Sequence, residues 1–473
     1  MEEDDYVKDI DFLTGYVSFK ETEYPFVFDK DSFQLTLIPS SFELCKKQHY
    51  EWIPTSICCK TNEWVRSIVI KGHTRENFNI YFFVLENYSI QYGYYVFQVK
   101  WVAYSYDQFD LEAIDGYKVS GGEVDCFYLP KQILEYKFDY EDDHIKDFSI
   151  IAKSDDYKSC GAYFKNGTLI SYEVTSVGYS SSKEGTDPLS VKSIVRTSFS
   201  ESMDLEYLVN SLQCFGLFLE YITNRRNIDL HDIDLIWKTE EGLFSSGGRL
   251  LFKQPLQYED DKRRYKRIIS YNILGENSAK IIELFSNNEI TNRHIRNTIG
   301  DQNHYTPAVL IMILSTFEKE YSSIFGQDYK RSETYSEIKE LVISSVDKLI
   351  ESNTGKRKKY LKSIKRQLQK LDNSYSKMVL ISLRECADII KPFILQKYGE
   401  YNESILNDIS QRINEMRNDI AHCKLDIDYV PNHSNDIKIV EYLIYAIRLK
   451  SIGLETESIQ KAINALFGLN MAI

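Results

Sequence analysis

The hydrophobic periodicity of this chain changes near residue 300, and that change restricts the fold more than any other feature. Over roughly the first 200 residues, apolar residues come in short β-branched and aromatic runs separated by polar turns. Examples are Gly15-Tyr-Val-Ser-Phe, Phe33-Gln-Leu-Thr-Leu-Ile, Val65-Arg-Ser-Ile-Val-Ile, Ile80-Tyr-Phe-Phe-Val-Leu and Tyr94–Val102. Phe148–Ala152, Thr168–Val174 and Ser193–Phe199 continue the series. Such spacing predicts a sandwich or a curled antiparallel sheet. A helix follows at Leu205–Thr223, where Leu205, Leu208, Val209, Leu212, Phe215, Leu219 and Ile222 recur at three and four. Ile233–Lys238 and Leu250–Lys253, with Ser245-Ser-Gly-Gly between them, read as a strand pair, and Ala279–Ser286 as a short helix.

After Pro307 the period is helical throughout. Val309, Leu310, Ile313, Leu314, Phe317, Tyr321 and Ile324 form one stripe, opened by Pro307 and closed by Gly326. Further helices are expected at Tyr335–Ser352, Tyr360–Leu371, Met378–Lys397 with a bend at Pro392, Ile405–Ile420, Ile437–Lys450 and Ser458–Leu466. The fold class is α+β multidomain. A β-rich, sandwich-like region spans 1–300, with a sub-boundary near 200, and an all-α bundle spans 301–473.

Charge follows the same division. The net charge is -13. From Asp301 onward 24 basic residues face 23 acidic ones, which leaves 33 against 47 in the first 300. A surface coated for nucleic acid is excluded, and any RNA contact belongs in the last third. Eight cysteines, with no CxxC pair and no zinc-finger spacing, read as thiols in a reducing cytosol, so neither metal nor cofactor is expected. The acidic start, Met-Glu-Glu-Asp-Asp-Tyr, has no signal-peptide pattern, and the longest apolar runs are far short of a membrane span; a cytoplasmic location is expected.

Within the bundle, Arg417-Asn418-Asp419-Ile420-Ala421-His422 joins a permanent cation to an imidazole. An arginine can hold a phosphate in a fixed fork, and a histidine near neutral pH can take the 2′-hydroxyl proton of RNA or protonate the leaving 5′-oxygen. The pattern occurs twice, however: Arg226-Asn227-Ile228-Asp229-Leu230-His231 also satisfies it, just after a helix and before a strand, where a structural or solvent-facing role is expected. Five residues at 100° each put Arg417 and His422 about 140° apart on an ideal helix. A second copy across a two-fold axis, or a break in the helix, would help build one site, and a homodimer or higher homo-oligomer is expected.

A C-terminal bundle carrying Arg-Asn-x-x-x-His resembles the HEPN ribonuclease superfamily, and the β-rich region before it is similar to that of ApeA-like anti-phage proteins. That resemblance implies pairing through the motif-bearing helices and metal-independent cleavage of RNA, most often tRNA, leaving a 2′,3′-cyclic phosphate. It implies that Arg417 binds the scissile phosphate, His422 is the general acid or base and Asn418 orients the phosphate or the motif. It further implies an acidic residue on the first bundle helix paired with the arginine, for which Glu318 is the candidate. Abortive anti-phage defence, with a phage-derived trigger read by the N-terminal region, completes the implied role. A small residue, often glycine, commonly follows the motif histidine, whereas this chain has Cys423.

The most basic stretch is Lys356, Arg357, Lys358, Lys359, Lys362, Lys365, Arg366 and Lys370. It reads either as a solvated helix face or as a surface that guides RNA. The competing reading of the whole chain is a non-catalytic dimeric interaction or sensor protein, with the bundle as scaffold and Arg417 as a structural cation paired with Glu318.

Overall fold

The computed structural model describes residues 12–39, 67–91, 94–141, 144–153, 155–180, 189–228, 230, 232–252, 266–326, 333–370, 375–422 and 432–472. Val65, Arg66, Lys253 and Leu371, at the ends of expected elements, lie outside these, as do Asp229, His231 and Cys423. The chain forms two compact units, one of residues 1–216 with 228–258 and one of 217–227 with 259–473. The expected division at residue 300 falls inside the second unit.

Six strands of the first unit close a barrel: β1 (Phe12–Phe19), β2 (Thr22–Asp29), β3 (Gln34–Leu37), β4 (Ser67–Thr74), β5 (Phe78–Gln91) and β6 (Tyr94–Tyr106). They pair antiparallel in the ring β6-β3-β2-β1-β4-β5, and β5 returns to β6. Alternate residues point inward. Val17, Phe26, Phe28, Leu35, Leu37, Ile70, Ile80, Phe82, Val84 and Phe97 fill the interior, as a small barrel requires. Closure needs β1 and β4 to approach tightly: a Cβ on Gly15 would sit 2.0 Å from the His73 carbonyl oxygen, and one on Gly72 would sit 2.1 Å from that of Tyr16. Of the two forms expected from strand spacing, a sandwich or a curled antiparallel sheet, the curled sheet is found, closed into a barrel with an extension; ring closure is a long-range pairing that strand patterning does not encode.

The extension continues the sheet from β6 through β14 (Phe244–Phe252), β13 (Asp232–Lys238), β7 (Ile114–Ser120), β12 (Leu189–Met203), β11 (Thr168–Ser180) and β10 (Lys158–Lys165). A short helix α1 (Gly122–Phe127) follows β7, and β8 (Leu134–Glu141) with β9 (His144–Ala152) forms a separate hairpin. Ser245–Gly248 is not the turn between β13 and β14. The turn lies at Thr239–Leu243, with Gly242 at φ 80°, and the two glycines sit inside β14 at a bulge. A Cβ on Gly247 would meet the Phe109 ring, which packs on Trp237. Helix α2 (Leu205–Thr223) is found over the expected span, and its first part lays Leu208, Leu212 and Phe215 on the extension, where Tyr117 Oη lies 3.3 Å from Ser211 Oγ.

The second unit is helical: α3 (Tyr271–Leu274), α4 (Asn277–Ser286), α5 (Pro307–Phe325), α6 (Glu333–Ser352), α7 (Gly355–Lys370), α8 (Tyr375–Glu385), α9 (Ala387–Tyr398), α10 (Glu403–Ala421), α11 (His433–Ser451) and α12 (Thr456–Phe467). Helix α5 begins with Thr306 capping the Val309 amide and Pro307 in the first turn, and it ends at Gly326, whose φ is 73°. Helix α11 is buried on all sides from Ile437 to Leu449 except at Lys438, so it is the axis around which α5, α9, α10 and α12 pack. The expected single helix Met378–Lys397 is two helices, broken at Cys386 rather than at Pro392. Proline leaves the Asp388 carbonyl without its usual amide, and Gln460 Nε2 donates to that oxygen at 2.8 Å instead.

Residues before 300 complete this core. Tyr445 Oη donates to the Tyr221 carbonyl at 3.1 Å, Gln302 Nε2 donates to the Asn224 carbonyl at 3.1 Å, and buried Arg296 pairs with buried Glu441. A chain cut at residue 300 would lose these partners, which is the physical reason the unit starts earlier than the helical periodicity does.

Candidate active site

Three helices of the second unit bring the motif arginine to its setting. Glu318 lies on α5, Tyr375 begins α8 and Arg417 lies near the end of α10. Arg417 Nη2 is 3.4 Å from Glu318 Oε2, and the guanidinium stands 5.3 Å from the centroid of the Tyr375 ring. The ring is itself fixed: Tyr375 Oη donates to the Leu314 carbonyl at 2.9 Å, and Phe317 meets it edge-on at 5.7 Å. Burial drives the Tyr375 phenol well above its ordinary pKa, Glu318 adds to the rise and Arg417 opposes it, so the hydroxyl stays protonated and keeps donating.

Helical geometry explains why Glu318 faces Arg417 while Glu320, two residues on, does not. Two positions turn an α-helix by about 200°. Glu320 accordingly points the other way, into the core, and accepts from Arg448 at 2.7 Å. The unit thus contains two kinds of arginine–glutamate pair. Arg448–Glu320 is 4% and 1% exposed and Arg296–Glu441 is 5% and 2%, whereas Arg417–Glu318 is 40% and 43% exposed. An exposed pair this long contributes at most about 1 kcal/mol to stability.

Asn418 and His422 are exposed on the last turn of α10. His422 caps that helix, and its amide donates to the Asn418 carbonyl at 3.0 Å. No break separates Arg417 from His422, so the angular separation expected of one regular helix holds. The structure brings Glu318 to Arg417 and leaves the imidazole facing solvent, with no side-chain partner among the described residues. Tyr375 was missed in the sequence. Its signal is its place one turn before Met378 and Val379, on the buried side of α8.

The other copy of the motif sits differently. Arg226 Nη2 donates to the Asn292 and Arg293 carbonyls at 3.4 and 3.3 Å, and the Arg226 and Asn227 amides donate to the Arg296 and Asn297 carbonyls, both at 2.9 Å. Arg226 therefore ties one backbone segment to another. Among the basic residues of α7, Lys356, Arg357, Lys359, Lys362 and Arg366 are exposed, Lys358 is half-buried, and Lys365 is held by Asp347 at 2.5 Å. Lys359, Lys362 and Arg366 recur along one stripe of the helix. Among the described residues no group of three His, Cys, Asp or Glu is placed to hold a metal ion, and no helix is long and apolar enough to cross a membrane.

No protein-family model, curated protein or solved structure matches this chain.

Proposed function

We infer that the helical unit is a metal-independent endoribonuclease of the HEPN kind, acting in ApeA-like anti-phage defence on cellular RNA such as tRNA. One observation carries the reading: Arg417 is oriented but not consumed. Its guanidinium has five donors and, among the described residues, one long contact to Glu318, while it stands 5.3 Å from the Tyr375 ring and 40% of the side chain stays open to solvent. Arg296 and Arg448 of the same unit are instead buried against their glutamates.

In this reading Arg417 receives the scissile phosphate through its unused donors and stabilises the charge that grows on the phosphoryl oxygens. An imidazole takes the proton from the 2′-hydroxyl, the 2′-oxygen bonds to phosphorus, the bond from phosphorus to the 5′-oxygen breaks, and a second proton donor supplies that oxygen. The products are a 2′,3′-cyclic phosphate and a 5′-hydroxyl. Since Arg417 and His422 diverge on one helix, the arginine of one copy works with the histidine of another, with Asn418 bonding to the phosphate beside them. Lys359, Lys362 and Arg366 offer a line of cations that could track an RNA backbone.

The test is cleavage of bacterial RNA by the purified full chain in EDTA. Wild type is expected to yield cyclic-phosphate ends, and Arg417→Ala and His422→Ala are each expected to abolish them while melting as wild type does. Equal cutting by both variants would refute the assignment. A second reading is favoured by the ion pair itself, which gives Arg417 a partner without substrate: the bundle is then a non-catalytic dimeric scaffold for a sensor. It predicts that wild type cuts no RNA even when challenged with phage lysate.

A further inference from the structure

Helices α6 and α7 run antiparallel, joined by two residues and pinned by Lys365 on Asp347. On α6 the side that meets α7 carries Ile343, Asp347 and Ile350, all half or wholly buried. A second stripe, apolar at Ile338, Leu341, Val342 and Leu349 with Ser345 among them, recurs at three and four, turned roughly 140° from the first. This stripe faces solvent: Ile338 is 59% exposed and Leu341 69%. Tyr360 and Ile364 of α7, 69% and 45% exposed, fall on the hairpin face that Val342 shares, because the helices are antiparallel, and they extend the surface. Stray apolar residues on a surface are ordinary, but a helix with two stripes has two packing partners.

Charge indicates what the second partner is. Glu337 and Lys348, both exposed, border the stripe along one flank, eleven positions apart. Eleven residues are three turns and about 16 Å, so the two charges lie almost directly in line. A two-fold axis crossing α6 midway between them sets Glu337 of one copy opposite Lys348 of the other, and the reverse contact follows by symmetry. A two-fold axis along the helices would set this flank against the opposite flank of the partner instead. The flank is thus complementary to itself only when antiparallel.

We propose that this face of α6, extended by Tyr360 and Ile364, is the interface with a second copy of this chain, the two hairpins forming an antiparallel four-helix arrangement. It is a surface distinct from the Arg417-bearing helix and stands whether or not that helix cuts RNA.

Sedimentation velocity on the full chain at tens of micromolar tests it. Wild type should sediment as a dimer or a larger species. Leu341→Gln with Leu349→Gln should weaken the association by about 100-fold, with unchanged helical content by circular dichroism because both side chains are exposed in the single chain. Glu337→Lys and Lys348→Glu should each weaken it, and the two together should restore it. Arg417→Ala should leave this association in place. A monomeric wild type, a leucine double variant that associates like wild type, or a charge swap that fails to recover would each overturn the proposal.

Discussion

At the scale of single residues, the second unit separates arginines and histidines by what surrounds them. His294 shows the extreme case. It is buried, its ring meets Tyr445 edge-on at 6.2 Å, and neither nitrogen has a hydrogen-bond partner among the described residues. Burial first, then Arg296 and Arg226, push its pKa down from 6.5 to about 3. Above pH 6.5 the group is neutral folded or unfolded and makes no pH-dependent difference. Below it the unfolded chain binds a proton that the folded chain refuses, so stability falls as pH drops from about 6.5 toward 3, by up to about 1.4 kcal/mol per pH unit. Glu320 and Glu441 contribute with the opposite sign, since burial raises both carboxyls. A comparison at matched pH isolates the histidine. His294→Phe should narrow the loss of melting temperature between pH 6.5 and 4 relative to wild type; a wild-type-minus-variant difference that stays constant with pH would show that the site is not a proton-linked one.

At the scale of elements, periodicity read the helices well because the α11-centred core demands a stripe from every helix around it. The stripe through Val309 and Ile324 and the one through Ile405 and Ile420 became α5 and α10 for that reason. It failed at Pro392, where the outcome depends on a side chain from another helix. Gln460 satisfies the carbonyl that proline strands, and the interruption moves to Cys386. For Tyr375 the stripe signals burial but not its role, which lies in reaching Leu314 and Arg417 on two other helices. Glu318 was named through the family resemblance, which implies an acidic partner for the arginine on the first bundle helix, and it does lie 3.4 Å from Arg417. The Pro392–Gln460 link is measurable. Gln460→Ala should cost about 1–2 kcal/mol in urea unfolding, and distinctly less in a Pro392→Ala background, where the restored amide takes over the Asp388 carbonyl. Additive effects of the two substitutions would break the connection.

At the scale of the whole molecule, neither compact unit is a continuous stretch of chain, and no local signal announces that. The α2 stripe runs unbroken from Leu205 to Ile222, although its last residues are counted with the helical unit and its first with the β-rich one. The boundary expected at residue 300 followed the change in periodicity, whereas the contacts follow buried polar partners. Arg296 neutralises Glu441, Tyr305 Oη donates to the same carboxylate at 2.7 Å, and Asn224 and Gln302 join the segments around them. Removing one member of such a buried pair costs about 3–5 kcal/mol, a large share of a domain's stability. Two shortened chains make the consequence visible by circular dichroism. Residues 301–473 keep Glu441 but lose Arg296, and are expected to retain helical signal with no cooperative melt. Residues 259–473 regain the pair and should melt cooperatively, though below the full chain, since Tyr445 still lacks Tyr221 and Asn224. Equal, sharp transitions in the two fragments would mean that the segment before residue 300 is no part of the helical core and that the boundary read from periodicity is the physical one.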